Sequence, residues 1–510
     1  MLASVCGATL IASLILGGGT HSGFLSDAIL QLIATPLLLL ALWQLTRSPA
    51  ATRLRGALAF CAAVVLVPVL QLMPLPPALW TRLPGHEVIA EAFTLSGQEL
   101  PWWPISVAPQ ETWLGLMSLV VPLAIFLGTV QLRRRERRLI SLAVLTVGIL
   151  SVFLGLLQVA QGPKSALRFF TFTNPTEAVG FFANRNHFAA LLYSLMLLAA
   201  AWTVHIGNQV TSYARKGHDT PLILAVFAGF AVVVSLIAAQ MMARSRAGLV
   251  LTILGLLGIW ALTVRDRHRA AGGFAPARLL AGAVGLALVL GIQFALYRVL
   301  DRFEAGPLAD ARIPFALTTI EAAKAYMPLG SGAGTFVPVY SMFEKIEDAR
   351  QFYANRAHND VLEVWLEAGV FAVLLMGVVL AWLIRRSIAL WRERPRPGGE
   401  IDLLLARAAG LVLLLLSAHS LVDYPLRTAA MMALTAFVSG LMFESPDKPK
   451  PPRNAGSRRR SQRSTLILAQ APTPVSSAVP GQTRSQDWPN MEWPEAWRRA
   501  AKRDGEPSSD

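Results

Sequence analysis

Long apolar runs separated by short polar breaks dominate the chain from residue 2 to residue 443. Roughly 20 apolar residues in a helix cross the ~30 Å hydrocarbon layer of a bilayer. Runs near 2–17, 27–45, 57–74, 112–131, 139–160, 187–206, 221–241, 247–264, 279–298, 361–384, 402–419 and 427–443 meet or approach that length. The pattern predicts an all-α, polytopic integral membrane protein with about twelve transmembrane helices over residues 1–443. The first run lacks a basic start, and Gly17-Gly18-Gly19 is no clear cleavage site, so it is read as a retained span.

Two regions break the pattern. Residues 299–360 form the longest inter-span segment, with a helical pattern over Pro314–Tyr326 and a glycine-rich turn, PLGSGAGTF, at Pro328–Phe336. Residues 444–510 are rich in Pro, Ser and Arg and have too little apolar content to bury a core. They are expected to form a disordered cytoplasmic tail whose basic stretch, KPKPPRNAGSRRRSQR, touches anionic lipid.

Composition sharpens this picture. The chain is 54% hydrophobic and 15% charged, with a mean hydropathy of +0.49, values that exclude an ordinary soluble domain. The net charge of +15 does not imply nucleic acid, because the basic residues follow even-numbered spans: Arg47, Arg53 and Arg55; LRRRERRL (Leu132–Leu139); Arg215 and Lys216; Arg265, Arg267, Arg269 and Arg278; Arg385, Arg386, Arg392, Arg394 and Arg396. The positive-inside rule makes those loops and both termini cytoplasmic, and the 299–360 loop periplasmic. Cys6 and Cys61 lie in apolar runs and read as small packing residues.

The opposite ends of the spans carry the candidate chemistry. They collect Arg185 and His187 in GFFANRNHFAALL, Arg244 and Arg246 in ARSRAG, Arg356 and His358 in NRAHND, and His419, Asp423 and Arg427 in HSLVDYPLR. Snorkelling explains any one of these arginines. As a set, they point to a cationic pocket for a diphosphate, whose oxygens match the guanidinium fork. Within NRNH, Asn184, Asn186 or His187 could equally make that contact.

His358 stands at the mouth of a helix, with Asn359 and Asp360 as cap candidates. Glu363 and Glu367 share one helix face, and a carboxylate beside the imidazole would suit a general base. A histidine hydrogen-bonded at the interface for structure alone fits the spacing as well. Glu367 lies deeper and calls for an internal partner such as an arginine. No HExxH, P-loop, GxSxG or outer Asp-x-Asp motif occurs, so chemistry without metal or cofactor is expected.

At GFFANRNHFAALL, SRAGL (Ser245–Leu249) and PLGSGAGTFVPVY followed by AHNDVLEVWLEAGV, the sequence resembles the O-antigen ligase and O-antigen polymerase superfamily of bacterial envelope glycosyltransferases. ISVAPQETW (Ile105–Trp113) and HSLVDYPLR echo it more weakly, and the resemblance spans about Ile105–Phe443. It implies a metal-independent enzyme of the bacterial inner membrane, with its active site facing the periplasm. The donor would be an undecaprenyl-diphosphate-linked glycan, and the acceptor lipid A–core or a growing polysaccharide. By motif position, His358 would act on the acceptor hydroxyl. Arg185 and Arg246 would bind the diphosphate, Arg244 and Arg356 would help, and His187, Asn359, Glu367 and Asp423 would support. Lipopolysaccharide ligation, O-antigen or exopolysaccharide polymerisation and protein O-glycosylation share these motifs. The non-enzyme alternative is a polysaccharide-lipid transporter, against which stand the absence of an obvious repeat and the polar residues gathered at one face rather than mid-span.

Overall fold

The computed structural model describes residues 1–20, 25–47, 50–213, 220–267, 285, 312–347 and 353–446. The helices run in the order α1 (Leu2–Leu16), α2 (Leu25–Thr46), α3 (Ala50–Arg53), α4 (Arg55–Gln71), α5 (Pro77–Trp80), α6 (Glu87–Leu95), α7 (Pro109–Ser118), α8 (Val120–Gln131), α9 (Arg134–Gln161), α10 (Arg185–Tyr213), α11 (Thr220–Ala243) and α12 (Arg246–Arg267). After these come α13 (Arg312–Ala325), α14 (Phe336–Phe343), α15 (Asp360–Arg392), α16 (Glu400–His419), a 3-10 turn (Pro425–Arg427) and α17 (Ala429–Leu441). Among the described residues, strand structure is confined to a two-residue antiparallel pair, Pro74–Leu75 against Trp103–Pro104.

Eight segments among the described residues are long and apolar enough to cross a membrane: α2, α7 with α8, α9, α10, α11, α12, α15 and α16. Three of the other expected spans are the shorter apolar helices α1, α4 and α17. The expected run at 279–298, apart from residue 285, and the tail from 447 onward lie outside the described residues. The run expected at 112–131 is broken at Leu119. Pro122 has no N–H for the carbonyl of Ser118, and that missing bond falls at the interruption.

The centre of the bundle is α10, 83% of whose spanning window is buried. It packs on α11, α12 and α16, while α1 sits among α2, α8 and α17. Gly248 sets the α10–α12 spacing: a Cβ there would lie 2.5 Å from the Ala189 methyl. Small residues at such crossings let helix backbones approach.

One kink bears on the site. Gly369 takes φ 55°, ψ −134° inside α15, which frees carbonyls of the preceding turn. The glycine-rich loop fills the gap: Ser331 N–H donates to Leu366 O (2.9 Å) and Gly332 N–H to Glu367 O (2.9 Å), while Val370 N–H returns to Pro328 O (2.9 Å). The Gln71 side chain adds a bond to Glu367 O at 2.8 Å. A Cβ on Gly369 would meet Pro328 O at 2.1 Å, so no other residue fits this backbone.

The loops at 132–139 and 385–396, both expected to be cytoplasmic, meet at one end of the bundle. Arg138 binds Asp402 with two bonds of 2.7 Å, and Arg386 Nε donates to Met442 O at 2.8 Å. Arg134, Arg386 and Arg396 line a cavity there. His358 lies at the other end, where α15 begins and α16 finishes.

Candidate active site

Backbone links draw the predicted motifs to that other end. Ala178 N–H donates to Met242 O (3.1 Å), tying the approach to α10 to the end of α11, and Asp360 N–H donates to Ser420 O (2.9 Å), tying α15 to α16. Asn186 Nδ2 donates to Asp423 Oδ2, which adds the start of α10 to the turn after α16.

Arg185 and Arg246 are the first residues of α10 and α12. A cation there opposes the helix dipole, whereas the free N–H groups of a helix start together with a guanidinium suit an anion. Ser245 Oγ accepts from Gly248 N–H at 3.0 Å and so caps α12. Arg244, just before it, adopts φ 49°, and both Arg244 and Arg246 are exposed. Arg185 is paired with Glu177, whose other oxygen accepts from Thr176 Oγ1 at 2.9 Å. Asn174 Oδ1 accepts from the Arg185 N–H at 2.9 Å, which fixes the first turn of α10.

His358 holds a left-handed backbone, φ 51°, a conformation that non-glycine residues adopt at a cost of about 1–3 kcal/mol and that clusters at functional sites. Its neighbours hold it there. Ala357 N–H donates to Glu363 Oε2 at 3.0 Å. Asn359 is the N-cap of α15, accepting from Val361 N–H (3.0 Å) and Leu362 N–H (3.1 Å) and donating to Leu421 O (2.8 Å). Asn359→Ala should therefore destabilise the protein by ~1 kcal/mol. A lower apparent Tm in detergent, with helix content unchanged by circular dichroism, is the expected result; an unaltered Tm would show that the cap carries no weight.

The carboxylate beside His358 is Asp423. Its Oδ1 lies 3.3 Å from His358 Nδ1, an ion-pair distance without hydrogen-bond alignment. Asp423 is fully buried. It also accepts from Tyr424 N–H (2.9 Å) and stands 3.5 Å from Arg312 Nη2. Burial works to raise its pKa, but the interaction with His358, together with His187 and His419, outweighs it and holds the carboxyl below the usual carboxylate range. Asp423 therefore stays ionised at neutral and mildly acidic pH. With its folded pKa depressed, its contribution to stability is present above the unfolded value of ~3.9 and is lost as pH falls below it.

Glu363 and Glu367, expected as partners for the imidazole, are engaged elsewhere. Glu363 binds Arg356 Nη1 at 2.9 Å and Glu367 binds Arg427 Nη1 at 2.9 Å. Arg427 Nε also stands 3.5 Å from both Asp360 and Glu363. Burial disfavours the Arg427 charge, but Glu363, Glu367 and Asp360 hold its pKa above the ordinary arginine value. The internal arginine that Glu367 required is thus Arg427. Arg356 is turned toward Glu363, with 11% of its side chain exposed.

His187 is fully buried, and its ring meets Tyr424 at 4.9 Å. His419 Nδ1 lies 3.0 Å from Tyr193 Oη. The sequence reading missed Arg312, Phe315, Tyr424 and Glu177. Of these, only Tyr424 lay in a quoted motif, and an ordinary aromatic-proline pair gave no reason to single it out. Among the described residues, no group of three or more His, Cys, Asp or Glu is placed to hold a metal ion.

The O-antigen ligase family model matches residues 230–377. No curated protein matches the chain. The matched stretch carries Arg244, Arg246, Arg312, Arg356, His358 and Glu367, while Arg185, His187 and Asp423 lie outside it. It contains both ARSRAG and AHNDVLEVWLEAG, so the resemblance carried by those motifs is borne out: residues 230–377 are similar to the O-antigen ligase family.

Proposed function

We propose that the protein is a membrane glycosyltransferase that moves a glycan from undecaprenyl diphosphate to a carbohydrate hydroxyl at the periplasmic face. The observation that carries this reading is the approach of buried Asp423 to His358 Nδ1. A carboxylate on Nδ1 favours the tautomer with its proton there and leaves Nε2 as the acceptor. The His358 side chain is 24% exposed, so its imidazole is open to an acceptor. The basic loops at the far end of α15 and α16 support the orientation through the positive-inside rule.

In this reading the acceptor hydroxyl loses its proton to His358 Nε2 as its oxygen bonds to the anomeric carbon. The anomeric C–O bond to the diphosphate breaks, and its electron pair leaves with undecaprenyl diphosphate. Displacement in one step inverts the anomeric configuration. Arg185, Arg244 and Arg246 stabilise the departing charge, while Arg356 is a supporting group that holds Glu363 beneath the histidine. Arg185 exchanges Glu177 for a diphosphate oxygen as the donor arrives.

The test is the glycan profile of a strain lacking the protein, complemented with wild type or Arg246→Ala. Full-length polymer accumulating on the lipid means ligation, and single repeat units mean polymerisation. Loss of glycan from periplasmic proteins alone means protein glycosylation. Arg246→Ala should lose about 2–4 kcal/mol of transition-state stabilisation, tens- to hundreds-fold in rate. Unchanged lipopolysaccharide, exopolysaccharide and protein glycans in the null strain would overturn the proposal. Movement of lipid-linked glycan across liposomes without covalent transfer would replace it with transport.

A further inference from the structure

The Asp423 contact alone does not fix the plane of the His358 ring. At 3.3 Å and without hydrogen-bond alignment, it leaves the imidazole free to turn about its own side-chain bonds. Two aromatic rings remove that freedom. Phe315 stacks on the imidazole with centroids 5.8 Å apart and planes 18° from parallel. Tyr424 meets it edge-on at 4.9 Å and 75°. Both geometries are the favoured ones for aromatic pairs.

Each ring is itself held. Phe315, on α13, packs edge-on against Tyr340 at 5.7 Å and 86°. Tyr340 belongs to a buried cluster with Phe336, Val339 and Leu366, so the plate behind His358 is anchored to the core of the 312–366 region. Tyr424 is 3% exposed, and its hydroxyl accepts from Asn184 Nδ2 at 3.4 Å. One ring thus belongs to α13 and the other to the turn after α16, and they grip the imidazole from separate elements. Arg312, three residues before Phe315, reaches Asp423 from the same helix.

We infer that Phe315 is a positioning residue which, with Tyr424, clamps the His358 imidazole so that Nε2 faces the acceptor hydroxyl. This rests on the general-base reading of His358. A general base must sit within hydrogen-bond reach of its proton, and a displacement of ~1 Å is enough to cost about a hundredfold in rate. Removing one wall of the clamp while the other stays should lower turnover by about tenfold or more. Donor binding should be unaffected, because Phe315 is aimed at the imidazole and not at the arginines.

The test uses purified full-length protein in lipid nanodiscs, with lipid-linked glycan extracted from the null strain as donor. Phe315→Leu should lower kcat about tenfold or more with KM for the donor unchanged, and Phe315→Tyr should restore it. In parallel, ¹³C-labelled histidine gives ring signals for eight residues, and His358→Gln identifies the one sought. Its ring-current shift should be present in wild type, reduced in Phe315→Leu, where only Tyr424 still contributes, and regained in Phe315→Tyr. A reduced shift with unchanged kcat would overturn the positioning role. No such shift in wild type would overturn the clamp. A wild-type protein that shows the shift but transfers no glycan would sink the catalytic reading, and the positioning role with it, while the clamp geometry stood.

Discussion

His358→Ala is expected to lower glycan transfer by about 10²–10⁴-fold, the usual contribution of a positioned general base. A sugar hydroxyl is a poor nucleophile, and among the described residues the other histidines of this site, His187 and His419, are not placed to replace His358. His187 is fully buried, and His419 is buried with its Nδ1 against Tyr193. The fold should survive the change. Only the 24%-exposed imidazole is lost, and Asp423 keeps Asn186, Arg312 and the Tyr424 N–H. The measurement is a single-turnover rate on purified, correctly inserted protein, with wild-type Tm as the control for folding. A rate within threefold of wild type would remove His358 from the chemistry and leave it as an interface histidine.

Arg427→Met should be the most destabilising single change at this end of the molecule. Arg427 faces Glu367 at 2.9 Å and both Asp360 and Glu363 at 3.5 Å, with 17% of its own side chain exposed. After its removal, Arg356 can still serve Glu363, but Glu367 loses its ion-pair partner in a buried position. Breaking a buried ion pair from one side costs about 3–5 kcal/mol, because the remaining charge keeps its desolvation penalty. A large drop in apparent Tm follows, read by tryptophan fluorescence in detergent. Adding Glu367→Gln should recover part of it, since the uncompensated charge is then gone. An unchanged Tm in the single variant, or a double variant worse than the single by the full sum, would show that the network is not coupled as described.

The expectations that held best were local ones. Asn359 as the cap of α15 follows from a short polar side chain directly before an apolar helical run. The helical reading of Pro314–Tyr326 corresponds to α13. The glycine-rich turn at 328–336 was visible, but its partner was not. In DVLEVWLEAGVFAVLL nothing marks Gly369 as a break, because a single glycine within an apolar run reads as helix. The kink becomes stable only when the 330–332 backbone arrives to satisfy the freed carbonyls. The carboxylate beside His358 was misplaced for a related reason. Glu363 and Glu367 were close in sequence and on one helix face, whereas Asp423 comes from a turn beyond the next helix.

The sequence by itself determined the helical membrane architecture, the ends of the spans where charge gathers, and the motifs that carry the superfamily resemblance. These follow from hydrocarbon thickness, the cost of charge in lipid and short-range capping, all of which act along the chain. Only the tertiary structure decided which buried charge answers which. It gave Arg427 to three carboxylates, Asp423 to His358, Glu177 to Arg185, and Phe315 and Tyr424 to the two sides of the imidazole. Such pairings are set by distance in space and by the need to satisfy each buried polar group, and residues far apart in the chain meet those conditions only after the helices have packed.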